Sequence, residues 1–214
     1  MLLIYSPLLR YNSISDQLFY LSHRFKSQNG NMAYPGKLMM NSVTGHQYKF
    51  IQTSRDTAGE LLEMEVTYKA HLKEPPPHYH PYQSEEFTIL SGELTVNKNG
   101  KTEVYKSGDQ FRIPANEIHS MWNDSHQPAI VNWKITPALN SEYLFETTVG
   151  LANEGKTNTE GLPSLLQLAV MLPYFESVFR TVKPPYAWQK IIFNLLAPIA
   201  RMKGYEPFYK KYIN

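Results

Sequence analysis

Between Pro75 and Asn123 the chain sets His78 and His80 two residues apart, then Glu85, then His119 at the end of Gly108-Asp109-Gln110-Phe111-Arg112-Ile113-Pro114-Ala115-Asn116-Glu117-Ile118-His119. In an extended segment the side chains at i and i+2 point to the same face, so both imidazoles of His78-Tyr79-His80 can reach one ion. Glu85 opens the run Glu85-Glu86-Phe87-Thr88-Ile89-Leu90, whose β-branched and aromatic content and Ser91-Gly92 ending predict a strand that returns a carboxylate beside them. Three neutral nitrogens and one carboxylate suit a divalent first-row metal with positions left open for water or substrate.

The surrounding sequence predicts an antiparallel sheet. Over Leu61 to Tyr68, the residues Leu62, Met64, Val66 and Tyr68 alternate with Glu63, Glu65 and Thr67, which gives one apolar and one wet face. Tyr48, Phe50 and Gln52 alternate with Lys49 and Ile51 in the same way. Asn99-Gly100 is a strong hairpin signal, because both residues accept positive φ. Short strands between frequent turns imply a double-sheet sandwich or barrel. Pro75-Pro76-Pro77 cannot donate ladder hydrogen bonds and predicts a sheet edge or rim at the approach to the histidine pair.

The residues of this stretch also resemble a known family, the cupins. His78, His80, Glu85 and Gly92 match its first motif, and Gly108, Pro114, His119 and Asn123 match its second. Leu72 stands where the first motif has its leading glycine, and Asn116 where the second has its turn glycine. Asn is the non-glycine residue that best tolerates the left-handed region, so that turn is expected to survive. The resemblance implies an antiparallel β-jelly-roll barrel, expected over residues 32–137, with His78, His80, Glu85 and His119 as ligands of one divalent transition metal ion. Iron, manganese, cobalt, nickel, copper and zinc all suit that donor set. His23, His46, His71 and His126 fall outside the pattern and are expected on the surface or in structural roles.

Strand parity proposes the pocket lining. If Glu85 and His119 point inward, so do Phe87, Ile89 and Met121, with Met64, Tyr68 and Trp133 on the opposite wall. Each of these is at least as well explained by core packing as by substrate contact. An apolar lining favours an aromatic or uncharged small ligand.

Outside the central stretch the character changes. Residues 1–31 are expected to be a weakly tied arm or an over-extended start, with a helix from Ser15 to Ser27; the opening Met1 to Arg10 is a poor secretion signal. Residues 138–214 are expected to be a helical extension. One helix, capped by Asn140 or Ser141, runs to about Asn153; a second runs from Leu165 to about Arg180 with Pro163 in its first turn and Pro173 as a kink; a third runs from Trp188 to about Lys203. After Glu176 the tail holds seven Lys or Arg residues against Glu206 alone, interleaved with aromatics. Two readings follow: a cover packed on the barrel or on a partner subunit, such as a homodimer, or an element lying on a membrane surface. A net charge of +2 over 214 residues makes no case for nucleic acid, and the absence of cysteine excludes disulfides, thiolate ligands and a cysteine nucleophile. The expected location is cytoplasmic, with or without membrane association.

Three functions fit these residues. The resemblance implies a metal-dependent dioxygenase, similar to the quercetin dioxygenase-like cupins, acting on a small phenolic, enol or dicarbonyl compound, with Glu85 able to act as proton acceptor. A metal-dependent isomerase or decarboxylase fits the same scaffold. So does a non-catalytic module that binds a small molecule.

Overall fold

The computed structural model describes residues 33–213. The arm expected over residues 1–31, its Ser15–Ser27 helix, His23 and the boundary at Met32 lie outside the described residues.

Eleven strands form among the described residues, nearly all of them in the central stretch: β1 Leu38–Met40, β2 Gln47–Gln52, β3 Leu62–Tyr68, β4 His78–Tyr79, β5 Ser84–Ser91, β6 Glu93–Lys98, β7 Lys101–Lys106, β8 Gln110–Ile113, β9 His119–Trp122, β10 Ala129–Thr136 and β11 Arg180–Thr181. They pair antiparallel in two sheets, one in the order β1-β2-β3-β10-β5-β8 and the other β11-β4-β9-β6-β7. This is the expected mainly-β jelly roll, built as two separate sheets on a shared core rather than one closed barrel.

Alternation produces that core. Leu62, Met64, Val66 and Tyr68 of β3 are buried while Glu63, Glu65 and Thr67 between them are half-exposed. In β5 the buried positions are Glu85, Phe87 and Ile89. Across the first sheet Met64 stands opposite Trp133, Trp133 opposite Phe87, and Phe87 opposite Phe111, so one row of large side chains crosses four strands. The next row runs Leu62, Ile135, Glu85, Ile113. A single carboxylate thus replaces a hydrocarbon in an otherwise apolar row. The second sheet contributes Leu94, Val96 and Met121 to the same core.

Turn chemistry sets the register. Asn99 and Gly100 take φ of +50° and +85° and close the β6–β7 hairpin. Asn116 takes φ +66° in the turn before β9, as the substitution of Asn for glycine there requires, and its amide donates to the Pro81 carbonyl. Gly92 combines φ +75° with close approach: a Cβ there would lie 2.5 Å from the Pro128 carbonyl oxygen.

Three helices follow: α1 Ser141–Asn153, α2 Leu165–Tyr174 and α3 Tyr186–Met202, with a short 3-10 turn at Lys210–Tyr212. Their details depart from expectation. Asn140 occupies the cap position of α1 but makes no side-chain capping bond. Ser164 caps α2 by accepting from the Gln167 N–H, which leaves Pro163 ahead of the helix rather than in its first turn. Pro173 sits near the end of α2, which stops at Tyr174 rather than continuing to Arg180. A mid-helix proline deprives one carbonyl of its donor and crowds the preceding turn, so the helix ends within a residue. The chain released there forms β11.

That strand corrects a second expectation. The histidine pair does not lie at a sheet edge: β4 is flanked by β9 on one side and β11 on the other, with Arg180 opposite Tyr79 and Thr181 opposite His78. Three consecutive prolines do keep their approach out of the ladder, but the tail supplies the missing neighbour. A second apolar cluster joins Tyr143 and Leu151 of α1 and Met171 of α2 to Phe175, Val178 and Ile213, so the tail carries a small core of its own. Among the described residues no helix is long and apolar enough to cross a membrane.

Candidate metal centre

Three strands converge on one point. His78 leaves β4, His80 follows it, Glu85 comes from β5, and His119 opens β9 directly opposite His78. One ligand nitrogen from each of His78, His80 and His119 lies within 4.8 Å of the others, near enough for one ion with bonds of about 2 Å to be reached by small side-chain rotations. The Glu85 carboxylate, fully buried, sits 3.2 Å from His80 Nε2 and 3.0 Å from His119 Nε2.

The outer nitrogens decide what these contacts mean. His119 Nδ1 is 2.9 Å from the Glu117 carbonyl oxygen, and His80 Nδ1 makes a short hydrogen bond to the Val178 carbonyl oxygen. A carbonyl only accepts, so both Nδ1 atoms carry a proton, which turns both Nε2 atoms inward. Each Nε2 faces one oxygen of the Glu85 carboxylate, at 3.2 Å for His80 and 3.0 Å for His119. A ring nitrogen and a carboxylate oxygen this close in a dry site share a cation, either a proton or a metal.

Electrostatics sharpen the picture. Burial pushes the Glu85 carboxyl up, but His80 and His119 outweigh it and hold the group well below the usual carboxylate range. Burial pulls His80 down, whereas Glu85 and the Val178 carbonyl raise it by more. His78 is lowered well below the ordinary imidazole value, first by burial and then by the other two imidazoles, so it is neutral and ready to donate its lone pair. The donor set present, three imidazoles and an ionised carboxylate, fits a divalent first-row metal.

Two residues that sequence reasoning missed complete the site. The Val178 carbonyl fixes the His80 ring, and the Phe179 ring stacks on His78 with centroids 4.8 Å apart. Both belong to the tail segment just before β11. A main-chain carbonyl leaves no sequence signal, and an aromatic in a tail rich in aromatics leaves none that is specific.

The expected lining residues divide. Tyr68 and Met121 meet, the Tyr68 hydroxyl lying 3.3 Å from Met121 Sδ. The Tyr68 hydroxyl is pushed well above its ordinary range by burial, then by Tyr48 and by Glu85, so it feels the carboxylate. Phe87, Ile89, Met64 and Trp133 are buried in the core, with Phe87 stacked between Phe111 at 4.7 Å and Trp133 at 5.4 Å. Among the described residues no hydrogen bond or ring contact ties these four to the imidazole cluster. His46 is structural, its ring edge-on to Tyr68 at 4.8 Å, and His71 and His126 meet each other at 4.8 Å. Asn123, fully buried, donates to the Tyr68 and Gln127 carbonyls and so ties the end of β9 to β3.

Residues 64–134 match the Cupin_2 family model, a cupin domain. The chain carries a cupin domain. Within it, 54 residues are 39% identical to quercetin 2,3-dioxygenase of Bacillus subtilis (strain 168), covering 25% of this chain and 16% of that protein. A putative germin-like protein 8-1 of Oryza sativa subsp. japonica is 40% identical over 75 residues, 31% of this chain and 32% of the relative. An oxidoreductase of Arthrobotrys oligospora is 26% identical over 157 residues, 65% of this chain and 60% of that protein. The chain thus spans between 16% and 60% of the length of these curated relatives. Among solved structures, a predicted oxalate decarboxylase from Thermotoga maritima is 20% identical over 47% of this chain and 90% of that one, with a TM-score of 0.41. The β11 strand and the helices lie beyond the matched residues, yet β11 pairs with β4 and sets Thr181 opposite His78.

Proposed function

We propose that this cupin binds one divalent transition metal through His78, His80, Glu85 and His119 and uses it as a dioxygenase of a small phenolic, enol or dicarbonyl compound. The observation that carries the metal is the convergence of one nitrogen from each of His78, His80 and His119 within 4.8 Å, beside the buried Glu85 carboxylate, with carbonyls holding the His80 and His119 rings. The stretch similar to quercetin 2,3-dioxygenase supports the choice of oxygenase over other metal chemistry.

When bound, the metal supplies a Lewis acid that lowers the pKa of a coordinated hydroxyl. The chain's residues do the rest. Glu85 is the carboxylate placed to accept the proton that an acidic substrate hydroxyl gives up. The Val178 and Glu117 carbonyls keep the imidazoles aimed. Phe179 covers the His78 side and limits water there.

Anaerobic loading with each of iron, manganese, nickel, copper and zinc, followed by oxygen uptake across flavonols, catechols and 1,3-diketones, tests the reading. Metal-dependent oxygen consumption that is lost in His119→Ala and falls by about 10²–10⁴ in Glu85→Gln is the expected result. Turnover without oxygen consumption replaces it with an isomerase or decarboxylase. Tight metal binding without turnover replaces it with a binding module.

A further inference from the structure

The third helix buries one face and leaves another of comparable apolarity in solvent. Gln189, Phe193 and Ala200 are the buried residues of α3, which packs on α2. Trp188, Ile191, Leu195, Ile199 and Met202 are between 48% and 88% exposed. At 100° per residue these five fall within an arc of about 80°, on the side of the helix away from the buried residues. Lys203 borders the arc on one side; Arg201 and Lys190 lie beyond the other. All three are exposed, and among the described residues none forms an ion pair with a carboxylate.

Charge selects the occupant of this face. No acidic residue occurs anywhere in α3, and from Ser177 onward the chain holds seven Lys or Arg residues against Glu206 alone. A second copy paired through the same stripe would be related by a two-fold axis, which sets the same patch against itself. Lys190, Arg201 and Lys203 would then meet their own counterparts, with no helix carboxylate to offset them. An anionic lipid surface satisfies both parts of the pattern: the apolar arc enters the headgroup boundary and the flanking cations stay among the phosphates. Trp188 and the long cationic side chains are suited to that boundary, since each has an apolar body and a polar end.

We propose that the exposed face of α3 docks this protein on an anionic bilayer, with the helix lying in the plane of the surface. The helix is tied to the sheet that carries His78 and His119, because Gln189 donates to the carbonyls of Thr181 in β11 and of Pro184. Docking therefore holds β11, and with it β4, at the membrane. The proposal stands apart from the choice of metal or reaction.

Co-sedimentation of the full chain with vesicles of phosphatidylcholine alone, and of phosphatidylcholine mixed with phosphatidylglycerol, tests it. Binding is expected only to the mixed vesicles, strongest at low salt. Leu195→Glu is expected to weaken it more than about tenfold, and Arg201→Gln or Lys203→Gln about fivefold each. Leu195 is 70% exposed, so a thermal melt of Leu195→Glu matching the parent separates lost docking from lost folding. Absence of binding to mixed vesicles at low salt overturns the proposal, as does binding that Leu195→Glu leaves intact. A dimer split by Leu195→Glu, without vesicle binding, overturns it in favour of a second copy. Vesicle binding that appears only once residues 1–31 are removed assigns the face to that segment and overturns it for the whole chain.

Discussion

The ring of Phe179 lies over the imidazole of His78, with centroids 4.8 Å apart and planes 26° from parallel. One residue earlier, the Val178 carbonyl accepts from His80 Nδ1. Two residues separated from the histidine pair by about a hundred positions therefore set the orientation of two of the three imidazoles. Removal of an outer partner of a metal-binding histidine commonly costs about 10- to 100-fold in affinity. A chain ended after Glu176, compared with the full chain by competition with a fluorescent chelator, is expected to lose metal affinity by that factor. Phe179→Ala is expected to lose less, because it removes shielding but leaves the carbonyl in place. Unchanged affinity in both would separate the tail from the site.

Metal binding to the folded chain alone raises stability by mass action, by about 4 kcal/mol at a thousandfold excess over Kd. The melting temperature of the loaded parent is expected to fall on addition of a chelator. A His78→Ala, His119→Ala double variant is expected to show no such fall and to contain no metal by elemental analysis. Equal metal in parent and variant would end the assignment of the site.

Gly92→Ala is expected to destabilise the fold by roughly 2 kcal/mol or more, through strain at φ +75° and a collision of the new methyl with the Pro128 carbonyl and Ala129 backbone. Gly108→Ala makes a useful comparison, since its φ is +94° but nothing lies within 4 Å of the added Cβ. Chemical denaturation of both variants measures the difference, which isolates the collision from the backbone strain. Equal losses would mean that the loop at Pro128 gives way.

Glu146 of α1 meets Lys37 at 2.6 Å, yet burial raises its carboxyl to about 7, more than Lys37 holds it down. The folded chain then keeps a proton that the unfolded chain loses near pH 4.5, so this group favours the fold most below pH 4.5 and loses that advantage as pH rises to about 7. Each pKa unit is about 1.4 kcal/mol, which puts the full effect on the order of 3 kcal/mol. Denaturation of parent and Glu146→Gln between pH 5 and pH 8 is expected to show the parent losing stability relative to the variant. Parallel pH profiles would show that the ion pair holds the carboxyl at its ordinary value.

Much of the fold was legible in the chain because alternation over β3 and β5 fixes which side chains face inward once either strand pairs. The turns at Asn99-Gly100 and Asn116 were legible for a similar reason, since few residues accept positive φ. The parity that put Glu85, Phe87 and Ile89 on one face holds in the structure. The limit of parity is that it assigns a face and not a neighbour. It could not separate Tyr68 and Met121, which touch each other near the carboxylate, from Met64 and Trp133, which pack in the core. The tail was legible as helical, while the strand inside it was not, because two paired residues have no periodicity to detect.

The sequence by itself determined the kind of site this protein can build: its side chains carry the imidazoles and the carboxylate, and local backbone preference sets which way each one points. Only the tertiary structure decided that the tail closes over the histidine pair, that carbonyls fix the tautomers of His80 and His119, and that α3 keeps an apolar face in solvent. These depend on main-chain atoms and on docking between distant segments. Every residue has the same carbonyl, so nothing in the order of side chains marks the one that will be used.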